Sequence, residues 1–255
     1  MTYALRAFEY WVSSYRRVWR GSVVTTIINP ILYLSALGVG LGKLVNQGGN
    51  TPLGVPYLDY VAPGILASTA MMVAAFQSAY PVMAAIRWTR QFHAQLASPL
   101  RVRDVVIGQQ LFVLARVAFA AAVYLVVIAA FGAIHSWMAV FALPAAILLG
   151  LSFSAPVTAM AGWLERDEGF NALFRFGVTP MFLFSGTFFP ISRLPKGLRE
   201  IAWLTPTWHG VDLLRGLTLG TATFWISVGH AAYLAAWGVT GLFLARRTFT
   251  RRLVT

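Results

Sequence analysis

The sequence predicts an all-α integral membrane protein, and two observations carry that prediction. Six apolar segments are long enough to cross a bilayer, because about 20 helical residues span a hydrocarbon core of about 30 Å. Only 11% of the 255 residues are charged and 58% are hydrophobic, whereas soluble domains are about 25% charged. The predicted spans are residues 23–42, 60–82, 106–131, 138–162, 172–190 and 222–244.

The distribution of basic residues predicts the orientation of these spans. If both termini are cytoplasmic, fourteen of the twenty Lys and Arg residues lie on the cytoplasmic side and five on the opposite side. This asymmetry follows the positive-inside rule. No cleavable signal peptide is visible, so the first span is expected to remain in the mature protein. Heavy use of Arg and Ala favours a bacterial source, which predicts a multi-pass protein of the bacterial cytoplasmic membrane.

Composition also excludes several kinds of site. The net charge of +12 would suggest nucleic acid in a soluble protein, but here the basic residues lie at helix ends, where anionic membrane lipid is the expected partner. Without cysteine, disulfides, zinc-thiolate sites and iron–sulfur clusters are excluded. The four histidines show no ligand spacing and no nucleophile motif is present. We therefore expect no catalytic residue, no metal site and no nucleic-acid partner.

Residues 1–22 are predicted to form an amphipathic helix on the cytoplasmic membrane surface, ahead of a transmembrane domain over residues 23–255. Apolar side chains recur at three- and four-residue spacing, with arginines on the opposite face. These apolar positions include Leu5, Phe8, Val12 and Tyr15. Such a helix is either a plain membrane anchor or also a contact for a cytoplasmic partner.

A second amphipathic helix is predicted over residues 84–97. Trp88, Phe92 and Leu96 would form one row on it at i, i+4 and i+8. Basic residues surround this row. The helix either links two spans along the membrane surface or fits into a cytoplasmic motor protein. Ser98 and Pro99 are predicted to begin the following helix.

Arg116 is a basic residue near the middle of the third predicted span. A charge within a span costs about 2.5–3.5 kcal/mol on insertion scales, so the side chain should face protein or water, or reach towards the interface. Two roles are open for it. It lines a translocation path, or it pairs with a carboxylate near the cytoplasmic ends of the helices.

The segment between the last two spans is too polar and too rich in proline to cross the membrane, and too apolar for a simple loop. We expect short helices that enter the outer leaflet, with aromatic residues at the interface. Its sequence resembles the signature of type-2 ABC transporter permeases (the ABC-2 family). That signature is Ser-Gly-x-x-Phe-Pro, a further proline, then Asn/Thr-Pro followed after five residues by Asp-x-x-Arg. The matching residues are Ser185, Gly186, Phe189, Pro190, Pro195, Pro206, Asp212 and Arg215.

This resemblance covers nearly the whole chain, and is strongest to permeases of antibiotic-resistance exporters and of the nodulation lipo-oligosaccharide exporter. It implies a subunit without an ATP site, whose partners are an ABC nucleotide-binding subunit that holds ATP and Mg²⁺ and a second permease, identical or a sister chain. It also implies that the helix between spans two and three couples to the ATPase subunit. The coupling residues so implied are Arg87, Trp88, Arg90, Phe92 and Leu96.

The function expected from the resemblance is ATP-driven export of an amphipathic or lipid-linked substrate, such as a drug, a glycolipid or a polysaccharide precursor. Two alternatives come from other functional classes. One is a six-span lipid-modifying enzyme, which would need convergent polar groups near one interface. The other is a structural subunit of a larger membrane complex.

Overall fold

The structure, a computed structural model, describes residues 2–48, 51 and 54–253. These residues form ten helices of six or more residues and one short 3₁₀ turn at Ile191–Arg193, and the described ranges contain no strand. The segments are α1 (Thr2–Tyr15), α2 (Trp19–Gln47), α3 (Tyr57–Arg87), α4 (Gln91–Leu96), α5 (Val102–Ala130), α6 (Trp137–Trp163), α7 (168–184), α8 (Lys196–Trp203), α9 (Pro206–Leu219) and α10 (Phe224–Leu253).

Five of these helices, α2, α3, α5, α6 and α10, are long and apolar enough to cross a membrane. They confirm five of the six predicted spans as helices, each extended beyond at least one predicted end. The remaining prediction, residues 172–190, is wrong at its end. Helix α7 stops at Phe184, and Gly186 then adopts a φ of +84°, which favours glycine and turns the chain.

The helices define two ends of the bundle. We call the end that holds α1, α4 and the last turn of α10 the terminal face, and the opposite end, which holds α8 and α9, the distal face. Asn46, at the end of α2, accepts a hydrogen bond from the Tyr57 amide at the start of α3. The α5–α6 connection lies at the same distal face, because the His135 amide donates to the Thr218 carbonyl of α9.

Helix α7 runs alongside α3 between the two faces. The rings of Phe174 and Phe76 stack with centroids 4.3 Å apart, and Phe170 lies 5.3 Å from Tyr80. Tyr80 also donates a hydrogen bond to Asn171. Part of α7, Leu173–Val178, has π-helical geometry, as does Leu34–Leu41 of α2.

Glycine permits the closest helix packing in the bundle. A Cβ atom on Gly241 of α10 would lie 2.5 Å from Pro156 of α6, and one on Gly238 would lie 2.8 Å from Leu151. At these two positions α10 contributes no side chain, so Leu151 and Pro156 of α6 pack directly against its backbone, as small residues allow in membrane helix pairs.

Helix α1 packs along the beginning of α5. A Cβ on Gly108 would lie 2.5 Å from the Ala7 Cβ and 2.7 Å from the Ala4 carbonyl oxygen. The face of α1 that meets α5 therefore carries the small residues Ala4 and Ala7, which are buried, while Leu5 on the predicted membrane-facing side is exposed. The predicted bounds also differ, since α1 ends at Tyr15 and α2 already begins at Trp19.

The single helix predicted over residues 84–97 is wrong. Helix α3 continues to Arg87, the chain then turns, and α4 begins at Gln91. Arg90 adopts a left-handed backbone with φ of +48°, which interrupts the helix. Helix α5 begins at Val102, where the Arg101 amide donates to Asp104, so the predicted start at Ser98 and Pro99 is also wrong.

Candidate functional site

Four aromatic rings from four helices meet at the terminal face. Trp11 of α1 lies 6.0 Å from Phe92 of α4 and 5.7 Å from Phe112 of α5, and Phe92 lies 5.4 Å from Phe249 of α10. We call Trp11, Phe92, Phe112 and Phe249 the terminal aromatic cluster. Phe92 and Phe249 are completely buried. Through this cluster, the short helix α4 is fixed to three longer helices.

The turn before α4 projects outward from this cluster. Residues 87–90, Arg-Trp-Thr-Arg, are all exposed and form what we call the basic turn. The Trp88 side chain is 67% exposed although it is one of the largest apolar groups in the chain. The turn has a defined shape, since the amides of Trp88 and Thr89 both donate to the Ala84 carbonyl oxygen at 3.0 and 2.9 Å.

The five residues expected to couple to an ATPase subunit therefore fall into two groups. Arg87, Trp88 and Arg90 lie together on the exposed basic turn. Phe92 is buried and Leu96 packs against the core, so neither presents its side chain on the surface as a row with Trp88 would require. The physical reason is the break at Arg90, which rotates α4 so that Phe92 faces the bundle.

A buried arginine joins three elements at the distal face. Arg215 of α9 donates to the carbonyl oxygen of Gly186 at 2.8 Å and to that of Tyr60 in α3 at 3.2 Å. The Tyr60 hydroxyl also donates to the Gly186 carbonyl oxygen at 2.8 Å, and the Arg215 guanidinium lies 3.9 Å from the Tyr60 ring centroid. We call Tyr60, Gly186 and Arg215 the distal clamp.

The residues beside Gly186 continue this network. Thr187 lies within hydrogen-bonding distance of Ser185 at 2.9 Å and of Ser68 in α3 at 3.2 Å. Its hydroxyl also donates to the Gly64 carbonyl oxygen. A Cβ on Gly64 would lie 2.9 Å from the Thr187 Cα, so glycine is what lets the 185–187 segment rest against α3.

Asp212 forms a separate chain of polar contacts with two histidines. Its Oδ2 lies 3.1 Å from Nε2 of His230, and Nδ1 of His230 lies 2.8 Å from Nδ1 of His209. The hydrogen bond from His230 lowers the pKa of Asp212 below its usual value, so the carboxylate is charged at neutral pH. Burial lowers the pKa of His209 to about 4, which keeps this imidazole neutral.

The other signature residues determine the course of the chain between α7 and α9. Thr205 caps α9 by accepting from the Trp208 amide, and the buried Pro206 occupies the first turn. Pro190 precedes a short 3₁₀ turn at Ile191–Arg193. Phe189 and Pro190 line a cavity of about 350 Å³ next to Tyr57 and the end of α2. The signature residues Ser185, Gly186 and Arg215 thus meet, while Asp212 faces α10.

A family profile described as "ABC-2 type transporter" matches residues 8–219, which is most of the chain. The chain belongs to the ABC-2 type transporter family. It is accordingly a membrane transport subunit of this family, with several apolar helices that make it an integral membrane protein.

Curated relatives match this ABC-2 chain over nearly its full length. It is 30% identical over 254 residues to Nodulation protein J of Rhizobium leguminosarum bv. trifolii and 28% identical over 254 residues to Nodulation protein J of Rhizobium meliloti (strain 1021). Each match covers 96% of this chain and 94% of the relative. Nodulation protein J of Sinorhizobium fredii is 29% identical over 256 residues.

In this ABC-2 chain, Arg116 lies where α1 and α2 meet α5. Its Nη2 donates to the Ser22 hydroxyl at 2.6 Å, and the guanidinium lies 4.1 Å from the Tyr15 ring centroid. Neither partner is a carboxylate, so the pairing considered from the sequence is not what the described residues show. A role of Arg116 in the translocation path stays a prediction.

A buried polar cluster between α5 and α6 was not predicted from the sequence. Gln110 Nε2 donates to the hydroxyl of Thr158 at 2.8 Å, and the Ser154 hydroxyl donates to Oε1 of Gln110 at 2.7 Å. Gln109 also takes part. Two adjacent glutamines in an apolar span were the available signal, because polar side chains within a span usually bond across helices.

Proposed function

We propose that this chain is the permease subunit of an ATP-driven exporter that moves an amphipathic or lipid-linked substrate, such as a drug, a glycolipid or a polysaccharide precursor, out across the bacterial cytoplasmic membrane. In this proposal an ABC nucleotide-binding subunit holds ATP and Mg²⁺ beneath the terminal face. A second permease, identical or a sister chain, completes the channel. Membership of the ABC-2 family supports this class of function over the enzyme and structural-subunit alternatives.

The single observation that carries the coupling part of the proposal is the exposed basic turn on a buried support. An exposed Trp88 flanked by Arg87 and Arg90 is the kind of surface that binds a protein partner, since Trp and Arg are enriched among the residues that dominate interface energies. The terminal aromatic cluster ties the following helix α4 to α1, α5 and α10. A displacement of the basic turn would therefore be transmitted to α1, α5 and α10.

Replacing Trp88 with alanine is expected to reduce coupling to the ATPase subunit about tenfold, because the largest exposed contact of the basic turn is lost. The measurement is substrate-stimulated ATP hydrolysis by the full complex in proteoliposomes. The matched control is Trp225→Ala, since Trp225 is 78% exposed at the distal end of α10. Equal ATPase stimulation in the two variants, with both complexes intact, would show that the basic turn is not the coupling surface.

We further propose that the chain has six spans with both termini in the cytoplasm. These are the five long apolar helices together with α7. The course of α7 beside α3 supports this count, because Phe170 packs near the terminal end of α3 and Gly186 contacts its distal end. The positive-inside bias supports the orientation. The first apolar helix would then leave the cytoplasm and α10 would return to it.

The absence of native cysteine makes this topology directly testable. We expect a single cysteine at Ser192 to react with a membrane-impermeant maleimide in intact cells, and one at Asp167 to react only after the membrane is opened. Both native residues are exposed in connections that flank α7. Reaction of both cysteines from the same side would exclude α7 as a span.

The cavity between α2, α3 and α7 is our candidate for the cargo path within one subunit. It has a volume of about 320 Å³ and combines polar Asn29 and Ser68 with aromatic Tyr33, Phe76 and Phe182. A mixed lining of this kind suits an amphipathic cargo, because apolar walls accept its tail while a few polar groups orient its head.

A further inference from the structure

Two cavities adjoin at the distal face, where α9 lies between the beginnings of α6 and α10. The larger has a volume of about 490 Å³ and an almost wholly apolar lining that includes Phe141, Leu148 and Leu217. The smaller, of about 190 Å³, is lined by polar groups that include Asp212 and His230. Three residues line both cavities: Leu213, Ala222 and Ser227. The two cavities therefore adjoin at these residues, and we call the larger the apolar end and the smaller the polar end of a paired cavity.

The apolar end faces the bilayer. Its rim includes Trp137 and Phe224, which are 77% and 70% exposed, and Val228, which is 43% exposed. These residues lie at the distal ends of α6 and α10, two of the membrane-spanning candidates, so we expect membrane lipid beside the rim. An empty cavity of this size would forfeit dispersion contacts along its whole lining, which favours its being filled by the hydrocarbon next to it.

The polar end carries an available negative charge. The Asp212 side chain is 46% exposed, and its contact with His230 uses Oδ2. Arg215 also lines this cavity, but it is only 7% exposed and directs its donors at the carbonyl oxygens of the distal clamp. The charge that a ligand would meet here is thus the Asp212 carboxylate, which complements an ammonium group and repels an anionic one.

We propose that this paired cavity binds a phospholipid from the leaflet at the distal face, with one acyl chain in the apolar cavity and an ammonium headgroup beside Asp212. A volume of about 490 Å³ lies within the range of small-molecule sites, of about 300–1,000 Å³. A lipid bound there would contact α9, α6 and α10 and would hold α9 in position between the other two helices. This inference is independent of the transport function, because it rests on the cavities and their position in the membrane.

The acyl-chain part is tested by filling the cavity. Ala231 lines the apolar cavity, whereas the adjacent Ala232 points outward and is exposed. The full-length chain is placed in nanodiscs with equal amounts of phosphatidylethanolamine and phosphatidylglycerol of identical acyl chains, and retained lipid is counted by native mass spectrometry. We expect Ala231→Phe to lower retention about tenfold, the effect of excluding roughly two methylenes, and Ala232→Phe to leave it unchanged.

The headgroup part is tested by Asp212→Asn, which keeps the size of the side chain and removes its charge. The unsubstituted chain is expected to retain phosphatidylethanolamine about threefold over phosphatidylglycerol, as one partly exposed charge contact would supply. The variant is expected to retain both equally. Equal retention of both lipids by the unsubstituted chain, or unchanged retention by Ala231→Phe, would overturn the proposal, as would finding the cavity occupied by transported cargo or by a second copy of the chain.

Discussion

Replacing Phe92 with alanine is expected to destabilise the whole terminal face by about 3–5 kcal/mol, the usual cost of removing a fully buried phenylalanine. The ring is completely buried and contacts Trp11 and Phe249, so its loss opens a void between three helices. The measurement is the thermal unfolding midpoint of the purified chain in detergent. Loss of ATPase coupling in this variant would follow from unfolding and would not identify Phe92 as a contact residue.

Phe176→Ala is the matched control, because Phe176 is 74% exposed and its removal leaves no buried void. We expect this control to keep the midpoint of the unsubstituted chain. A Phe92→Ala protein with an unchanged midpoint but lost coupling would reverse our interpretation and would place Phe92 on the ATPase-facing surface.

Replacing Arg215 with methionine is expected to release α9 from α3. The two hydrogen bonds from the guanidinium to the Gly186 and Tyr60 carbonyl oxygens would be lost, each worth about 1.5–3 kcal/mol when the donor is charged. Buried ion pairs can often be exchanged for apolar residues without loss. Here the acceptors are backbone atoms that the substitution cannot remove, so we expect a net loss of about 3 kcal/mol or more.

The measurement that separates this effect from general destabilisation is amide hydrogen exchange. Protection should fall in residues 185–191 and in α9, and should remain in α1 and α4 at the opposite face. Arg215→Lys is expected to recover only part of the protection, because an ammonium group cannot reproduce the planar fork that reaches two separate carbonyl oxygens. The exposed Arg193 offers a control, since Arg193→Met should change neither region. Unchanged exchange in Arg215→Met would show that the distal clamp does not hold α9.

Apolar length was enough to predict the class of this fold, because a long run without charge has few alternatives to a membrane helix. Five helices follow those predictions. The end of α7 could not be predicted from apolar length. The apolar run continues through Phe188 and Phe189, and only the backbone of Gly186, with its φ of +84°, shows that the chain turns there.

The candidate coupling surface shows a different limit. Spacing placed Trp88, Phe92 and Leu96 on one face, which holds only while the helix is continuous. A left-handed Arg90 is uncommon for a residue other than glycine, and nothing in the local sequence indicates it. The motif likewise identified Arg215, but its partners are carbonyl oxygens of residues far away in the chain, which carry no side-chain signal.

The contact between α1 and α5 was not predicted from the sequence. Hydrophobic periodicity placed Leu5 on the side of α1 that faces the membrane, but did not indicate that Ala4 and Ala7 meet α5 at Gly108. Periodicity weights residues by hydrophobicity, whereas a contact this close selects them by size.

The contact at Gly108 has a mechanical consequence. With only the Ala7 methyl group and backbone atoms of α1 against Gly108 of α5, the two helices have no compressible layer between them at this point. A displacement of the N-terminal helix must therefore carry the first third of α5 with it as one lever. Any bulky residue at position 108 would meet the Ala7 Cβ and the Ala4 backbone, and would force the two helices of that lever apart.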